Sequence, residues 1–273
     1  MITEPAPAKI NLALHIRRKR PDGYHDLETL FAFARDGDMV TVAPAERDSF
    51  TVTGPFAKAL GDGDNLVTRA RDGFRLACSC APVTITLDKN LPVASGIGGG
   101  SADAAATLRA LARLTGVDPA DQRLFATAAG LGADVPACLR GQTAFATGRG
   151  DDLQPLPPLG DLPLLLVNPN VPLSTAAMFA AWDGVDRGPI PRRGATLACA
   201  SAGHNDFTQP AVRAAPVVGE VLLLLNAAPG CTFVRMSGSG ATCFGLFTDA
   251  GSRDMAAAAA AERGWWTLRT FAT

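Results

Sequence analysis

No apolar run in the sequence approaches the ~20 residues that span a bilayer, and the opening MITEPAPAKINLAL has neither a basic n-region nor an apolar h-region. A cytoplasmic protein with no membrane partner is expected. Excess positive charge is missing too. The 25 Lys and Arg face 26 Asp and Glu, for a net charge of −1, and the arginines are scattered among acids. Nucleic acid is therefore excluded as the main partner. The six cysteines show no CxxC spacing, and Cys78-x-Cys80 has no second pair to complete a zinc site, so reduced thiols are expected. Lysine is scarce, 4 against 21 Arg, and there are only 1 Tyr and 3 His. The P-loop pattern GxxxxGK[ST] is absent, which excludes the commonest nucleotide-phosphate loop.

What is present is enough for more than one core. With 273 residues, 47% of them apolar, a prior of about 150 residues per domain favours two domains. A break is expected where Gly148-Arg149-Gly150-Asp151-Asp152 leads into the proline-rich 153–163, giving domains 1–155 and 156–273.

The stretch with the most chemistry is Leu91 to Thr107, LPVASGIGGGSADAAAT. The apolar run Val83 to Leu87 leads into it and a helical pattern follows, with Leu108, Leu111 and Leu114 on one face and Ser101, or a residue just before it, as cap. Adjacent glycines let backbone N–H groups converge, and a helix start offers unpaired donors and a positive dipole end, so strand, glycine loop and helix make an anion site. The dinucleotide fingerprint GxGxxG fits Gly96 and Gly98 but meets Ser101 at its third glycine, and the stretch about twenty residues on is a polar turn instead of a strand-ending acid.

Earlier in the chain, Ala8 to Ile16 alternates as a half-buried strand with Lys9, Asn11 and His15 on its polar face. A lysine here, in a chain that otherwise uses arginine, presents a compact point charge. Pro21-Asp22-Gly23 reads as a turn, and Tyr24-His25 behind it offers an aromatic ring and an imidazole to a planar ligand. Thr29 to Ala34 and Met39 to Ala43 read as a hairpin, with Ser49 to Val52 as a third strand. Asp64 or Asn65 caps a helix to about Leu76, and Asp118 to Ala129 reads as another. In GADVPACL, Asp134 stands two residues before a proline, where capping and catalysis are both open. Phe179 is read from the local sequence as a core ring. The second half runs strand (164–167), helices to 225, strands (231–235, 242–247), helix (251–263) and strand (265–271), a ferredoxin-like α+β order.

Pro92, Gly96, Ile97, Gly98, Gly99, Gly100 and Ser101 stand where the second motif of the GHMP kinases has P-x-x-x-G-[LI]-G-[GS]-[GS]-S. AKINLAL, RPDGYHDLETLF, DNLV, GADVPACL and MSGSGATCFG follow the order and spacing of one branch of that family, over nearly the whole chain. The chain resembles that branch, whose acceptor is a cytidine diphosphate-linked methylerythritol of the non-mevalonate isoprenoid route. The resemblance implies an α+β GHMP kinase fold: an N-terminal ribosomal-protein-S5-domain-2-like domain and a C-terminal ferredoxin-like α/β sandwich, with ligands in the cleft between them. It implies ATP and Mg²⁺, and a monomer or homodimer. By matching motifs it implies Lys9 and Asp134 as the catalytic pair, with Lys9 keeping Asp134 ionised. Asn11 would contact the methylerythritol, and Tyr24, His25 and Phe179 the cytosine. Asn65 would lie by the adenine, and Pro92, Val93, Ala94, Ser95, Gly96, Ile97, Gly98, Gly99, Gly100 and Ser101, with Gly238, Ser239 and Gly240, would wrap the phosphates. No metal ligand is assigned, since neither the loop nor its surroundings offers an unambiguous acid other than Asp134 or Asp103. Ala102, and Ala94-Ser95, replace a serine and glycines of the usual pattern, which stiffens the loop. Rival readings are a homoserine or phosphomevalonate kinase, which would not need Tyr24-His25, and a non-catalytic ATP sensor, which would not need Lys9 with Asp134.

Overall fold

Two long strands, β1 (Ile2–Lys19) and β2 (His25–Pro44), pair with each other and run through both compact units of the chain. A computed structural model describes residues 1–61 and 65–273. The first unit comprises residues 1–8, 36–93 and 98–141, the second 9–35, 94–97 and 142–273. The units alternate along the sequence instead of meeting at one boundary near residue 155, because β1 and β2 are each divided between them.

The expected hairpin at Arg35 to Asp38 is not formed; β2 continues straight through it. Gly37 allows this. A Cβ there would sit 2.1 Å from the carbonyl oxygen of Ala6, so only glycine lets the neighbouring strand pass so close. Nor is β1 half-buried. Lys9, Asn11 and His15 are as fully enclosed as Ile10, Leu12 and Leu14, because both faces of the strand are covered.

In the first unit, β4 (Val83–Asp88) pairs antiparallel with β2, Val40 opposite Leu87. The third strand, β3 (Ser49–Thr53), joins the other edge of β4 in parallel. Four helices follow: α1 (Leu66–Cys78), α2 (Gly99–Thr115), α3 (Gln122–Leu131) and α4 (Val135–Arg140). α2 packs on the other three, which is why its burial runs from Ala102 through Leu108 and beyond the leucine face expected. Its alanines permit that close approach, and each large apolar side chain it buries adds about 1.5–3 kcal/mol. α3 starts later than Asp118, where Asp121 accepts a hydrogen bond from Arg123 N at 2.8 Å and caps it.

In the second unit, β5 (Ala144–Thr147) pairs with β2 (Leu30 opposite Phe145) and with β6 (Asp152–Pro155). The remaining elements are β7 (Leu162–Asn168), α5 (Thr175–Ala180), α6 (Thr196–Ala202), α7 (Thr208–Ala214), α8 (Val217–Ala227), β8 (Cys231–Met236), β9 (Cys243–Phe247), α9 (Ala250–Ala261) and β10 (Trp266–Ala272). Their strands lie in the order β10-β7-β9-β8, all antiparallel. That is the ferredoxin-like order anticipated from the element pattern. Leu165, Val167, Val218, Val221, Leu225, Phe247 and Ala256 form its core between the sheet and helices α8 and α9.

Candidate active site

The glycine loop is built by conformations that few residues adopt. Ala94, Gly96 and Gly98 have φ of 51°, 76° and 66°. Gly96 is fixed by crowding as well, since a Cβ there would lie 2.4 Å from Ser237 O and 2.7 Å from Gly240 O. Gly98, left-handed, is the N-cap of α2 and no side chain caps that helix. The helix thus begins before Ser101, which lies inside its first turn. The first N–H groups of α2 have no partner within the helix and none from a cap. Such a start, with no acid in its first turn, is preorganised for an anion.

Under that turn lies an ion cluster that sequence reasoning missed. Lys89 Nζ donates to Asp38 Oδ2 at 2.5 Å and to Asp103 Oδ2 at 2.6 Å, with all three side chains buried. Asp38 also accepts from the backbone N–H groups of Asn90 and Leu91 at 2.5 and 2.8 Å. The cluster therefore ties β2, the end of β4 and the N-terminal half of α2 together. A Cβ on Gly99 would stand 3.1 Å from Lys89 Nζ, so the glycine admits the ammonium beneath the helix. Burial pushes the Asp103 carboxyl up to about 7, with Lys89 pulling the other way and Asp38 adding to the rise. Burial opposes the Lys89 charge, yet the two carboxylates outweigh it and raise its pKa. Only the scarcity of lysine hinted at this residue.

The second unit holds Lys9 and Asn11. Lys9 Nζ donates to Asn11 Oδ1 at 3.0 Å and lies 4.6 Å from the centre of the Phe31 ring. Asn11 Nδ2 donates to Thr29 Oγ1 at 2.7 Å, and that hydroxyl donates to Ala13 O at 2.7 Å. These bonds fix the Asn11 amide and with it the lysine. Asn11 N donates to Ser237 Oγ at 3.1 Å, and Ser237 Oγ donates to Gly96 O at 2.8 Å. Lys9 N donates to Ile97 O at 2.9 Å and Thr242 N to Ser95 O at 3.2 Å. One short network so joins Lys9, Asn11, residues 95–97 and the Ser237–Gly240 turn. Asn205, unremarked in the sequence, supports that turn by donating to Met236 O and Gly238 O at 2.7 and 2.8 Å. Ser239 shares a 2.9 Å hydrogen bond with Thr175.

The turn at Pro21 to Gly23 forms as read: Arg20 N donates to Tyr24 O at 2.8 Å and Tyr24 N to Asp22 Oδ1 at 3.1 Å. Phe179 stacks on His25, with ring centres 4.6 Å apart and planes 17° from parallel, and Trp182 meets His25 edge-on at 5.6 Å. Tyr24 is exposed and faces the Arg149 guanidinium at 5.1 Å instead. Phe179 also packs edge-on against Phe207, 4.8 Å away, at the border of the core. Burial, with the charge of Lys19, lowers the pKa of His25.

Asp134 and Asn65 belong to the first unit. Asp134 occupies the N-cap position of α4, but its side chain does not cap that helix. Asn65 does cap α1, accepting from Val67 N at 2.8 Å; the alternative cap, Asp64, lies outside the described residues. Pro92 is buried and Val93 partly exposed at the loop's approach.

The family model "GHMP kinases N terminal domain" matches residues 65–142 and "GHMP kinases C terminal" matches 192–264. A 4-diphosphocytidyl-2-C-methyl-D-erythritol kinase of Rhizorhabdus wittichii is 55% identical, over 97% of this chain and 93% of that protein. The chain belongs to the 4-diphosphocytidyl-2-C-methyl-D-erythritol kinase family, within the GHMP kinases. Another member, from Novosphingobium aromaticivorans, is 50% identical over 98% of this chain and 91% of its own length. A crystal structure of a 4-(cytidine 5'-diphospho)-2C-methyl-D-erythritol kinase superposes with a TM-score of 0.84 at 34% identity, covering 99% of both chains. Membership in this kinase family accounts for the fold and for an ATP-dependent small-molecule kinase.

Proposed function

We propose that the chain transfers the γ-phosphoryl group of ATP to the 2-hydroxyl of 4-diphosphocytidyl-2-C-methyl-D-erythritol, giving the 2-phosphate and ADP, in non-mevalonate isoprenoid precursor synthesis. The observation that carries this reading is the loop RPDGYHDLETLF, which sets His25 against Phe179 in a chain aligned end to end with kinases named for that acceptor. Homoserine or phosphomevalonate would have no use for such a pair of rings.

In this reading Asp134 accepts the proton of the attacking hydroxyl, and Lys9 stabilises the charge on the phosphoryl group in transit. Asn11, held by Thr29 and Ser237, orients the methylerythritol. Tyr24, His25 and Phe179 hold the cytosine, which stacking and edge hydrogen bonds would select. Asn65 lies by the adenine. The loop from Pro92 to Ser101, with Gly238, Ser239 and Gly240, takes the phosphates. Mg²⁺ usually keeps several waters and binds through substrate phosphates plus one or two carboxylates. Among the described residues no group of three or more His, Cys, Asp or Glu could hold a metal ion. An ion carried in by the triphosphate would supply charge neutralisation for the transfer. No helix among the described residues is long and apolar enough to cross a membrane, which supports a cytoplasmic site of action.

The test is ADP release from Mg-ATP with 4-diphosphocytidyl-2-C-methyl-D-erythritol, homoserine, mevalonate or phosphomevalonate as acceptor. Turnover with the cytidyl compound alone is expected; turnover with another acceptor alone would overturn the assignment. Asp134→Ala should lower kcat by about 10²–10⁴-fold, the usual contribution of a positioned base, while ATP still binds. Wild-type turnover in that variant would remove Asp134 from the role.

A further inference from the structure

The glycine loop leaves the sheet through Asn90 and Leu91 and enters α2 at Gly99, and one buried ammonium is linked to both ends of it. Asp38 Oδ1 accepts from Asn90 N and Leu91 N at 2.5 and 2.8 Å, while Asp38 Oδ2 accepts from Lys89 Nζ. The same Nζ donates to Asp103 Oδ2 on α2 at 2.6 Å. Three side chains thus join the entry of the loop to its exit. The lysine backbone is itself a fixed point. Lys89 N donates to Thr53 O at 2.8 Å, and Lys89 O accepts from Phe56 N at 3.1 Å. A Cβ on Gly54 would lie 2.6 Å from Lys89 O, so the chain after β3 presses directly on that backbone.

The tie falls where α2 is weakest. Gly99 and Gly100 are poor helix formers, Gly98 caps the helix without a side chain, and no acid stands in its first turn. Gly99 and Asp103, four residues apart, share one face of the helix. The Lys89 ammonium meets both: a Cβ on Gly99 would stand 3.1 Å from Nζ, and the Asp103 carboxylate holds the same nitrogen from one turn on. Asp103 Oδ1 is buried with no partner among the described residues, so α2 is tied to the lysine through Oδ2 alone. Lys89 and Asp103 are each 2% exposed, too deep to touch a nucleotide. With two carboxylates to one ammonium, the cluster carries no excess positive charge either. Its effect on an anion is therefore geometric, through the placement of the first N–H groups of α2.

We propose that Lys89 and Asp103 are positioning residues for the triphosphate of ATP, holding the start of α2 in its phosphate-binding form before the nucleotide arrives. This role rests on the reading that the loop takes the phosphates. Without the tie, binding would have to order the glycines itself, and the affinity would fall by that ordering.

The experiment is a calorimetric titration of the full-length protein with Mg²⁺ and a non-hydrolysable ATP analogue, at a temperature where circular dichroism shows each variant folded. Asp103→Ala removes the tie, leaves Lys89 balanced by Asp38 and keeps a good helix former, so it is expected to fold; Asp103→Leu fills the space and replaces it if it does not. Asp103→Asn keeps an oxygen toward Lys89. Removing the tie should weaken analogue binding about tenfold, comparable to ordering the backbone of one residue, while Asp103→Asn should stay within about twofold of the wild type. The KM for the acceptor should not change in either variant. A role in stability alone would lower the fraction of chains that bind and leave the dissociation constant unmoved, and that result overturns the proposal. Gly98→Ala, which places a side chain at a φ of 66°, tests the loop reading separately. If it weakens binding and Asp103→Ala does not, the loop reading stands and the positioning role falls. If neither weakens binding, the loop is not the phosphate site and both fall.

Discussion

His25 stands with one face of its ring on Phe179 and its edge against Trp182, so the imidazole is held before any ligand arrives. In the proposed clamp His25 is already stacked on Phe179, and Tyr24 lies against the Arg149 guanidinium. Replacing His25 by Ala should raise the acceptor KM, by about twofold to tenfold from the lost ring contact alone, and leave the ATP KM nearly unchanged. Equal effects on both would count against the clamp. Burial lowers the pKa of His25 below its ordinary 6.5, so the ring is neutral at pH 7 and becomes charged only in more acid solution. The kcat/KM for the acceptor is therefore expected to fall on the acid side with an inflection below pH 6.5, and His25→Ala should abolish that inflection.

At the scale of elements, the N-terminal half of α2 is anchored from below by the Lys89 ammonium between Asp38 and Asp103. Breaking a buried ion cluster by removing one partner leaves uncompensated charge. Lys89→Met should cost about 3–5 kcal/mol in chemical denaturation. A loss under about 1 kcal/mol, the size of an exposed pair, would mean the cluster is hydrated and contributes little. In the loop before it, Gly96 crosses the Ser237–Gly240 backbone at a distance no side chain allows, and the Lys9–Asn11 pair hangs from the same network.

At the scale of the whole molecule, global stability should carry opposite pH dependences from different carboxyls. Asp48, accepting from Arg75 and Val83 N, is held below the usual carboxylate range, chiefly by Arg75. Its contribution is present above the unfolded value of 3.8 and is lost as pH falls further. Asp103 works the other way. Its folded pKa is raised above 3.8 to about 7, so the unfolded chain ionises first and stability declines as pH rises between those values, then levels off. Unfolding free energy measured across that window should show the decline in the wild type and a flatter curve in Asp103→Asn. Parallel curves would place the titration elsewhere.

Much of this was legible in the residues. The glycine loop, its helix, the Pro21–Gly23 turn, the ferredoxin-like order and family membership all follow from local pattern, because turns, alternation and glycine runs are set by near neighbours in the chain. The tertiary structure decided what depends on distant ones. Gly37 reads as a turn until Ala6 lies against it, and Lys9, Asn11 and His15 read as a solvated face until a second layer covers them. Lys89, Asp38 and Asp103 are separated by up to 65 residues and become one charge cluster only when β2, β4 and α2 meet. Trp182 and Arg235 share the wall of one cleft only when β8 and the segment after α5 are brought together. Burial and partnership are properties of the packed chain, and sequence spacing carries neither.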